Sequence, residues 1–237
     1  MRPKGFNHVE KWEETVMNNA SWTLCVFSLM ALLAGSVSAQ ENVLFQEWTA
    51  VSQTKVGKTV SCGFQATAMS DRLIILTSNM TLHIDASSGV FFVVMLKITA
   101  SKVQKDVFDA VFRKFIQIPS YEAQQIYLRS VVSDVTKVHH LHIANAWIKT
   151  ASKTSIGKVR QIDVTPDPYY LGGTQDPDFF TDAVKDAAQG GRVVGYQEKP
   201  GNFDRVFPAS TPLPHTVVLE VFSCMGALFH DQLGMVE

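Results

Sequence analysis

Alternation of apolar and polar positions predicts β-strands from Val43 onward. Val43–Ser52 alternates loosely, whereas Thr59–Ala68 alternates cleanly and predicts a strand with one buried face. Its predicted inward positions are Val60, Cys62, Phe64, Ala66 and Ala68. Cys62 is therefore expected to point into a core.

Three further strands are predicted before the pattern changes. Leu73–Thr77 and Thr81–Asp85 are candidates, with Ser78-Asn79 between them as a turn. The run Val90–Thr99 is apolar at successive positions, which is typical of a central strand covered on both faces; a buried helix is the alternative, since periodicity alone does not distinguish the two.

From Val103 the apolar spacing becomes three and four, which indicates a helix from about Lys102 to Gln117. Ser101 and Gln104 form a capping-box pattern at its start, and Pro119 ends it. Its apolar stripe, expected to be buried against a sheet, is Val107, Phe108, Val111, Phe112 and Phe115.

Two more helices have clear start signals. One is predicted to begin at Ser120, and the other follows Asp176 as N-cap with Pro177 in its first turn. Gly190 and Gly191 are expected to end the latter.

The remaining segments read as strands, with a short final helix. These are His139–Thr150, the hairpin formed by "RVVGYQEK" and "NFDRVF", and His215–Phe222, after which a short helix contains Cys224. Segregated helices and strands predict an α+β fold with a mainly antiparallel β-sheet and two to three packed helices.

The first forty residues resemble an export signal. The apolar stretch Trp22–Ala34 is too short for a membrane span, and Val37 and Ala39 supply the small residues of a cleavage site. We therefore expect residues 1–39 to be a cleaved signal peptide and residues 40–237 to be one globular domain, periplasmic or secreted. The alternative is an uncleaved N-terminal anchor.

Export would place the cysteines that remain after cleavage in an oxidising compartment. Cys25 would leave with the signal, and the remaining pair, Cys62 and Cys224, would form a disulfide in an oxidising compartment. The alternative is a thiol catalytic pair of Cys224 with His215 or His230.

The net charge of the chain bears on one class of partner, the nucleic acids. The chain has 21 Lys and Arg against 22 Asp and Glu, a net charge of −1 with no long basic run, which argues against nucleic-acid binding. No stable transmembrane segment is expected after cleavage.

Histidines supply one candidate metal site. His140 and His142 would share a face of a strand, as ligands of zinc or copper do, but solvent-facing histidines are the simpler interpretation.

The segment Asp163–Asp178, "DVTPDPYYLGGTQDPD", is the predicted functional loop. Its carboxylates suit calcium, and its adjacent tyrosines suit an aromatic binding lip, while plain turn chemistry also explains the composition. The candidate ligand-binding residues are Asp167, Tyr169, Tyr170 and Asp176.

These features favour a non-catalytic binding or envelope-associated protein, with a small ligand, the envelope or a protein as partner and no cofactor. The alternative is an exported hydrolase that combines the Asp163–Asp178 loop with His215 or Glu220. A purely structural envelope protein is a third class. No nucleophile-elbow, P-loop, H-E-x-x-H or dinucleotide-binding motif is present in the sequence.

Overall fold

Twelve strands and four helices are found in the computed structural model, which describes residues 39–85, 91–150, 154–156, 160–162, 169–202 and 204–234. The strands are β1 (Ala39–Gln40), β2 (Val43–Lys55), β3 (Lys58–Ser70), β4 (Ile74–Asp85), β5 (Phe91–Val103), β6 (Val138–His140), β7 (Asn145–Lys149), β8 (Thr154–Ile156), β9 (Arg160–Ile162), β10 (Tyr169–Thr174), β11 (Val193–Gln197) and β12 (Arg205–Pro208). The helices are α1 (Lys105–Phe115), α2 (Tyr121–Asp134), α3 (Pro177–Ala188) and α4 (His215–Leu233).

The larger sheet is antiparallel and has the order β2-β3-β4-β5-β10-β9, with β6 also paired to β5. The predicted turn at Ser78-Asn79 is wrong, because β4 runs unbroken through both residues. Ser78 pairs with Ala66 on one side and Ile98 on the other. Hydrogen bonding to two neighbouring strands outweighs the local turn preference of this dipeptide.

The smaller sheet has the order β1-β12-β11-β7-β8, in which only β1 and β12 are parallel. The predicted strand His139–Thr150 is divided between the sheets, since β6 joins β5 and β7 joins β11. The hairpin of β11 and β12 is present as predicted. The fold is thus α+β with mainly antiparallel sheets.

The main core lies on one face of the larger sheet. Even-numbered side chains of β3, β4 and β5, such as Phe64, Met80 and Ile98, are buried there with side chains from the smaller sheet and from α3 and α4. Strand alternation explains this assignment, because successive side chains point to opposite faces.

A second, smaller core lies on the opposite face, at one end of the sheet. It consists of Phe45, Met69, Ile75 and Val103 from the strands and Leu128 from α2. The odd-numbered positions that the alternation directs away from the main core therefore meet the α1–α2 pair.

The predicted strand at His215–Phe222 is wrong, because these residues form the first half of α4. Val217, Val221 and Leu228 are the buried positions of the helix, and their spacing of four and seven matches the helical period. Gly234 ends the helix in the left-handed conformation, with φ of 63°. The β-branched residues at the start of α4 favour a strand locally, but packing on the sheet selects the helix.

The predicted disulfide is present. Cys62 on β3 is bonded to Cys224 on α4, with a Cα–Cα distance of 5.7 Å and a sequence separation of 162 residues. It joins α4 to a central strand of the larger sheet.

Candidate functional site

The predicted functional loop lies partly outside the described residues, and Asp163 and Asp167 are among the residues there. Tyr169 and Tyr170 belong to β10, where Tyr170 pairs with Ile98 of β5 and Gln161 of β9, so this part of the predicted loop is a strand. The residue pattern did not predict this strand, because the segment around it is rich in proline, glycine and aspartate, which are typical of turns.

Asp176 is the N-cap of α3, as predicted. Its carboxylate accepts a hydrogen bond from the backbone N–H of Asp178 at 3.1 Å. An N-cap of this kind satisfies one of the free amides of the first helical turn, which is a structural role.

His215 and Glu220, proposed from the sequence for a hydrolase, both lie on α4. Both side chains are exposed. Cys224 is held in the disulfide, so neither His215 nor His230 has a thiol to activate. His230 is next to Asp231, with 3.4 Å between the His230 Nδ1 and an Asp231 carboxylate oxygen.

The histidine pair does not share a strand as expected. His140 ends β6, and its Nδ1 is 3.0 Å from the Ser101 hydroxyl, while His142 is exposed in the segment that follows. Within the part of the chain that the structure describes, no cluster of three or more His, Cys, Asp or Glu side chains is placed to hold a metal ion.

Helix α1 has the predicted apolar stripe, but the stripe is less buried than expected. It begins at Lys105 with Gln104 as N-cap, and no capping side-chain hydrogen bond is made there. None of its eleven residues is fully buried, and Phe112 is 40% exposed. The expectation that the stripe is buried against the sheet is therefore wrong for Phe112 and incomplete for the rest.

The apolar stripe of α1 covers a space that we call the α1 pocket. All of its lining side chains are apolar, and the cavity left among them measures about 10 Å³. The walls are Leu44, Met69, Leu73 and Val103 from the sheet side, Phe108, Val111, Phe112 and Phe115 from α1, and Leu128 and Val131 from α2. A cavity of this size is at the lower limit for one water molecule, so the pocket is nearly closed.

The two helices that form the pocket are held differently. Helix α2 is fixed to β2, because Gln125 donates to the Leu44 carbonyl at 3.1 Å and Arg129 pairs with Glu47 at 2.8 Å. Its Leu128 is 1% exposed.

Helix α1, by contrast, has its polar contacts with α2 and the segment that follows α2. The Tyr127 hydroxyl donates to the Val111 carbonyl at 3.4 Å, Lys114 lies over the Tyr127 ring, and Lys137 is 3.6 Å from Asp106. These contacts are exposed or long, and such interactions each contribute little. Helix α1 is thus the weakly held cover of the pocket.

Charge around the pocket is uneven. Arg113 and Lys114 lie in the last turn of α1, next to the exposed Phe112, and both are exposed. Further apolar side chains are exposed in the same region, namely Ile116, Tyr121 and Ile126. The C-terminal end of α1 therefore combines apolar surface with two positive charges, whereas Asp106 and Asp109 lie closer to its N-terminal end.

The apolar spacing assigned the α1 stripe to the core and did not indicate that the stripe covers a pocket. The helical spacing correctly identified the residues of α1, but it carries no information about how far the helix stands from the sheet. Leu44 and Leu73, which complete the pocket from the strand side, had no distinguishing sequence signal.

A charged cluster at the edge of the smaller sheet was also missed. The buried Glu41 carboxylate is 3.0 Å from Arg205, whose Nε is 2.6 Å from Glu198. Paired carboxylates raise the pKa of Arg205 and offset its partial burial. Tyr196 lies beside them with a raised pKa, mainly because of burial. The pairing of these charges favours a structural role at the β11–β12 hairpin.

Comparisons with protein-family models, curated protein sequences and solved structures found no match to this chain. The structure also contains, among its described helices, none with the length and apolar character required to cross a bilayer.

Proposed function

We propose that this chain is an exported, non-catalytic binding protein, and that the α1 pocket receives a single acyl chain with an anionic headgroup. The observation that supports this most directly is the α1 helix itself. Its aromatic stripe faces a wholly apolar space, yet no residue of the helix is fully buried. An amphipathic helix whose apolar stripe is only partly buried buries more apolar surface when a ligand fills the space beneath it.

The shape of the site suits a chain-like apolar ligand. Strands, α1 and α2 all contribute walls, and the rings of Phe108 and Phe112 are 5.2 Å apart along the helix. Since the closed cavity is too small for such a ligand, binding requires α1 to move outward from α2 and the sheet. The weak polar contacts of α1 add little to the cost of this movement, which is mainly the separation of its apolar stripe from the second core and is offset when the acyl chain fills the space.

The two positive charges in the last turn of α1 favour an anionic headgroup over a cationic one. An acyl chain that leaves the pocket beside Phe112 would bring its headgroup near Arg113 and Lys114, which attract a carboxylate or phosphate.

Binding is measurable with a dansyl-labelled undecanoic acid, whose emission increases and shifts to the blue in an apolar site. We expect saturable binding that palmitate displaces and that hexadecyltrimethylammonium displaces less well. Val111→Glu places a charge in the pocket and should weaken binding by at least about tenfold.

Leu219→Glu is the matched control, because Leu219 is an exposed apolar residue of α4, 56% accessible and remote in the chain from the α1 pocket. This variant should bind as the wild type does. Circular dichroism establishes that both variants are folded. Wild-type affinity in folded Val111→Glu, or a loss of binding only in Leu219→Glu, would contradict the proposed site.

The export part of the proposal rests on the leader-like sequence and is supported by the disulfide, since disulfides persist in oxidising compartments. The expected cleavage point lies within the short strand β1, so Gln40 and Glu41 would remain next to β12. The Glu41 amide donates to the Val206 carbonyl at 2.8 Å.

Mass spectrometry of the protein from its native source tests export. We expect Gln40, as glutamine or pyroglutamate, at the N-terminus. An intact N-terminal segment in a membrane fraction would support the uncleaved anchor instead.

A further inference from the structure

Arg192 is a buried cation in the main core. It directly precedes β11, on the same face of the strand as Val194 and Tyr196, and it is 2% exposed. Both of those neighbours are also buried, so strand alternation directs the guanidinium into the space between the two sheets.

The hydrogen-bonding capacity of this guanidinium is mostly unused. Its Nη2 donates to the Ser78 hydroxyl at 3.1 Å, whereas Nε and Nη1 have no hydrogen-bond partner among the described residues. The guanidinium carbon lies 4.9 Å from the centre of the Phe64 ring and 5.6 Å from the Trp48 ring. Ring faces attract a cation, but they do not accept the in-plane N–H groups.

No carboxylate among the described residues forms an ion pair with Arg192. Across the described part of the chain, the ion pairs of the other arginines are with Glu41, Glu47 and Glu198, and none includes Arg192. Burial lowers the pKa of Arg192 to about 9, which still leaves the side chain charged at neutral pH. A charged group in this position ordinarily requires a counter-ion.

Arg192 also lines a small cavity. It measures about 20 Å³, and Arg192, Ser78 and Trp48 are among its lining residues. Gln46, Pro208 and Ala209 line it as well and are partly exposed, which gives it a route to solvent. This volume suits one atom of roughly water to chloride size.

We propose that this cavity is a binding site for one small monovalent anion of the size of chloride, held by one edge of the Arg192 guanidinium, formed by Nη2 with either Nε or Nη1, and by the Ser78 hydroxyl. Ser78 accepts the bond from Nη2, so its own proton is free to donate to the anion. This site is separate from the α1 pocket and does not depend on the proposed function.

An anion fits these groups better than a water molecule does. The polar groups that Arg192 and Ser78 offer to a ligand are hydrogen-bond donors, and apolar side chains form most of the remaining wall. A water molecule there would have little to donate to and would leave the positive charge unbalanced. A monovalent anion accepts hydrogen bonds from one edge of the guanidinium and from Ser78, and it neutralises the charge of Arg192.

Thermal unfolding in sodium chloride tests the proposal, with sodium gluconate replacing chloride so that ionic strength stays constant. Gluconate is too large for the cavity. We expect Tm to rise with chloride, by about 3–6 °C at ten times the dissociation constant, and to keep rising with the logarithm of the chloride concentration. Bromide should act similarly.

Arg192→Met should abolish the chloride response, while Arg129→Met, which removes an exposed arginine of α2, should retain it. A chloride response of wild-type size in Arg192→Met would overturn the proposal, as would a wild-type Tm that is independent of chloride at constant ionic strength.

A second measurement uses only the wild-type protein and remains decisive if Arg192→Met does not fold. Crystals soaked in sodium bromide should show an anomalous peak about 3.3 Å from Nε or Nη1 of Arg192. Bromide peaks confined to the protein surface, with an ordered water or no density beside Arg192, would refute the anion site.

Discussion

Single residues in this fold are constrained mainly where a neighbouring backbone comes close. Gly63 on β3 pairs with Thr81 of β4, and a Cβ at position 63 would overlap the Met80 carbonyl oxygen and the Thr81 backbone. The pairing of two central strands therefore depends on the absence of a side chain here.

We predict that Gly63→Ala lowers the free energy of unfolding by about 2–4 kcal/mol, because the backbone of β4 must shift to accept a methyl group. Gly226 on the exposed face of α4 provides the contrast, since a Cβ there would meet nothing. Gly226→Ala should raise stability by about 0.5–1 kcal/mol through helix propensity. Urea unfolding measures both; equal effects of the two substitutions would show that strand spacing at Gly63 is not the cause.

At the scale of elements, the two helical layers differ in how they are attached. Helix α4 is bonded to β3 by the disulfide, and Asp231 at its end accepts a hydrogen bond from the Thr59 amide at 2.7 Å. This bond lowers the pKa of Asp231. Helix α1 makes no comparable bond to the described strands and is expected to open before the rest of the domain.

The partial burial of α1 gives a quantitative prediction. Phe112→Ala should cost about 1–2 kcal/mol, because the side chain is 40% exposed. Phe180→Ala in α3 is the control, since Phe180 is 1% exposed and should cost about 3–5 kcal/mol. Chemical denaturation compares them, and a cost for Phe112→Ala as large as that for Phe180→Ala would mean that α1 is packed more tightly than described.

For the whole molecule, the Cys62–Cys224 bond closes a loop with a sequence separation of 162 residues. Cross-linking such a long loop reduces the entropy of the unfolded chain more than it changes the native contacts. It also joins the part of the main core contributed by α4, near the end of the sequence, to β3, which lies much earlier in the sequence.

Replacing both cysteines with alanine should therefore lower the free energy of unfolding by about 3–5 kcal/mol while the fold is retained. Peptide mapping without reductant should recover the peptides that contain Cys62 and Cys224 as one linked species. Two free thiols at these positions would contradict the bond and return Cys224 to the candidate functional residues.

The sequence determined the features that depend on neighbouring positions along the chain. Clean alternation identified β3 and the inward direction of Cys62, and the three-and-four spacing identified α1. The start of α3 followed from Asp176 and Pro177, whose capping and backbone restrictions act within one helical turn.

Only the tertiary structure decided the features that depend on contacts between distant segments. The choice of helix for His215–Phe222 depends on the sheet beneath α4, and the continuity of β4 through Ser78 depends on strands at both sides. The exposure of Phe112 and the burial of Arg192 are set by distances between elements. Local periodicity indicates which face of an element is apolar, but it does not indicate which other elements pack against that face.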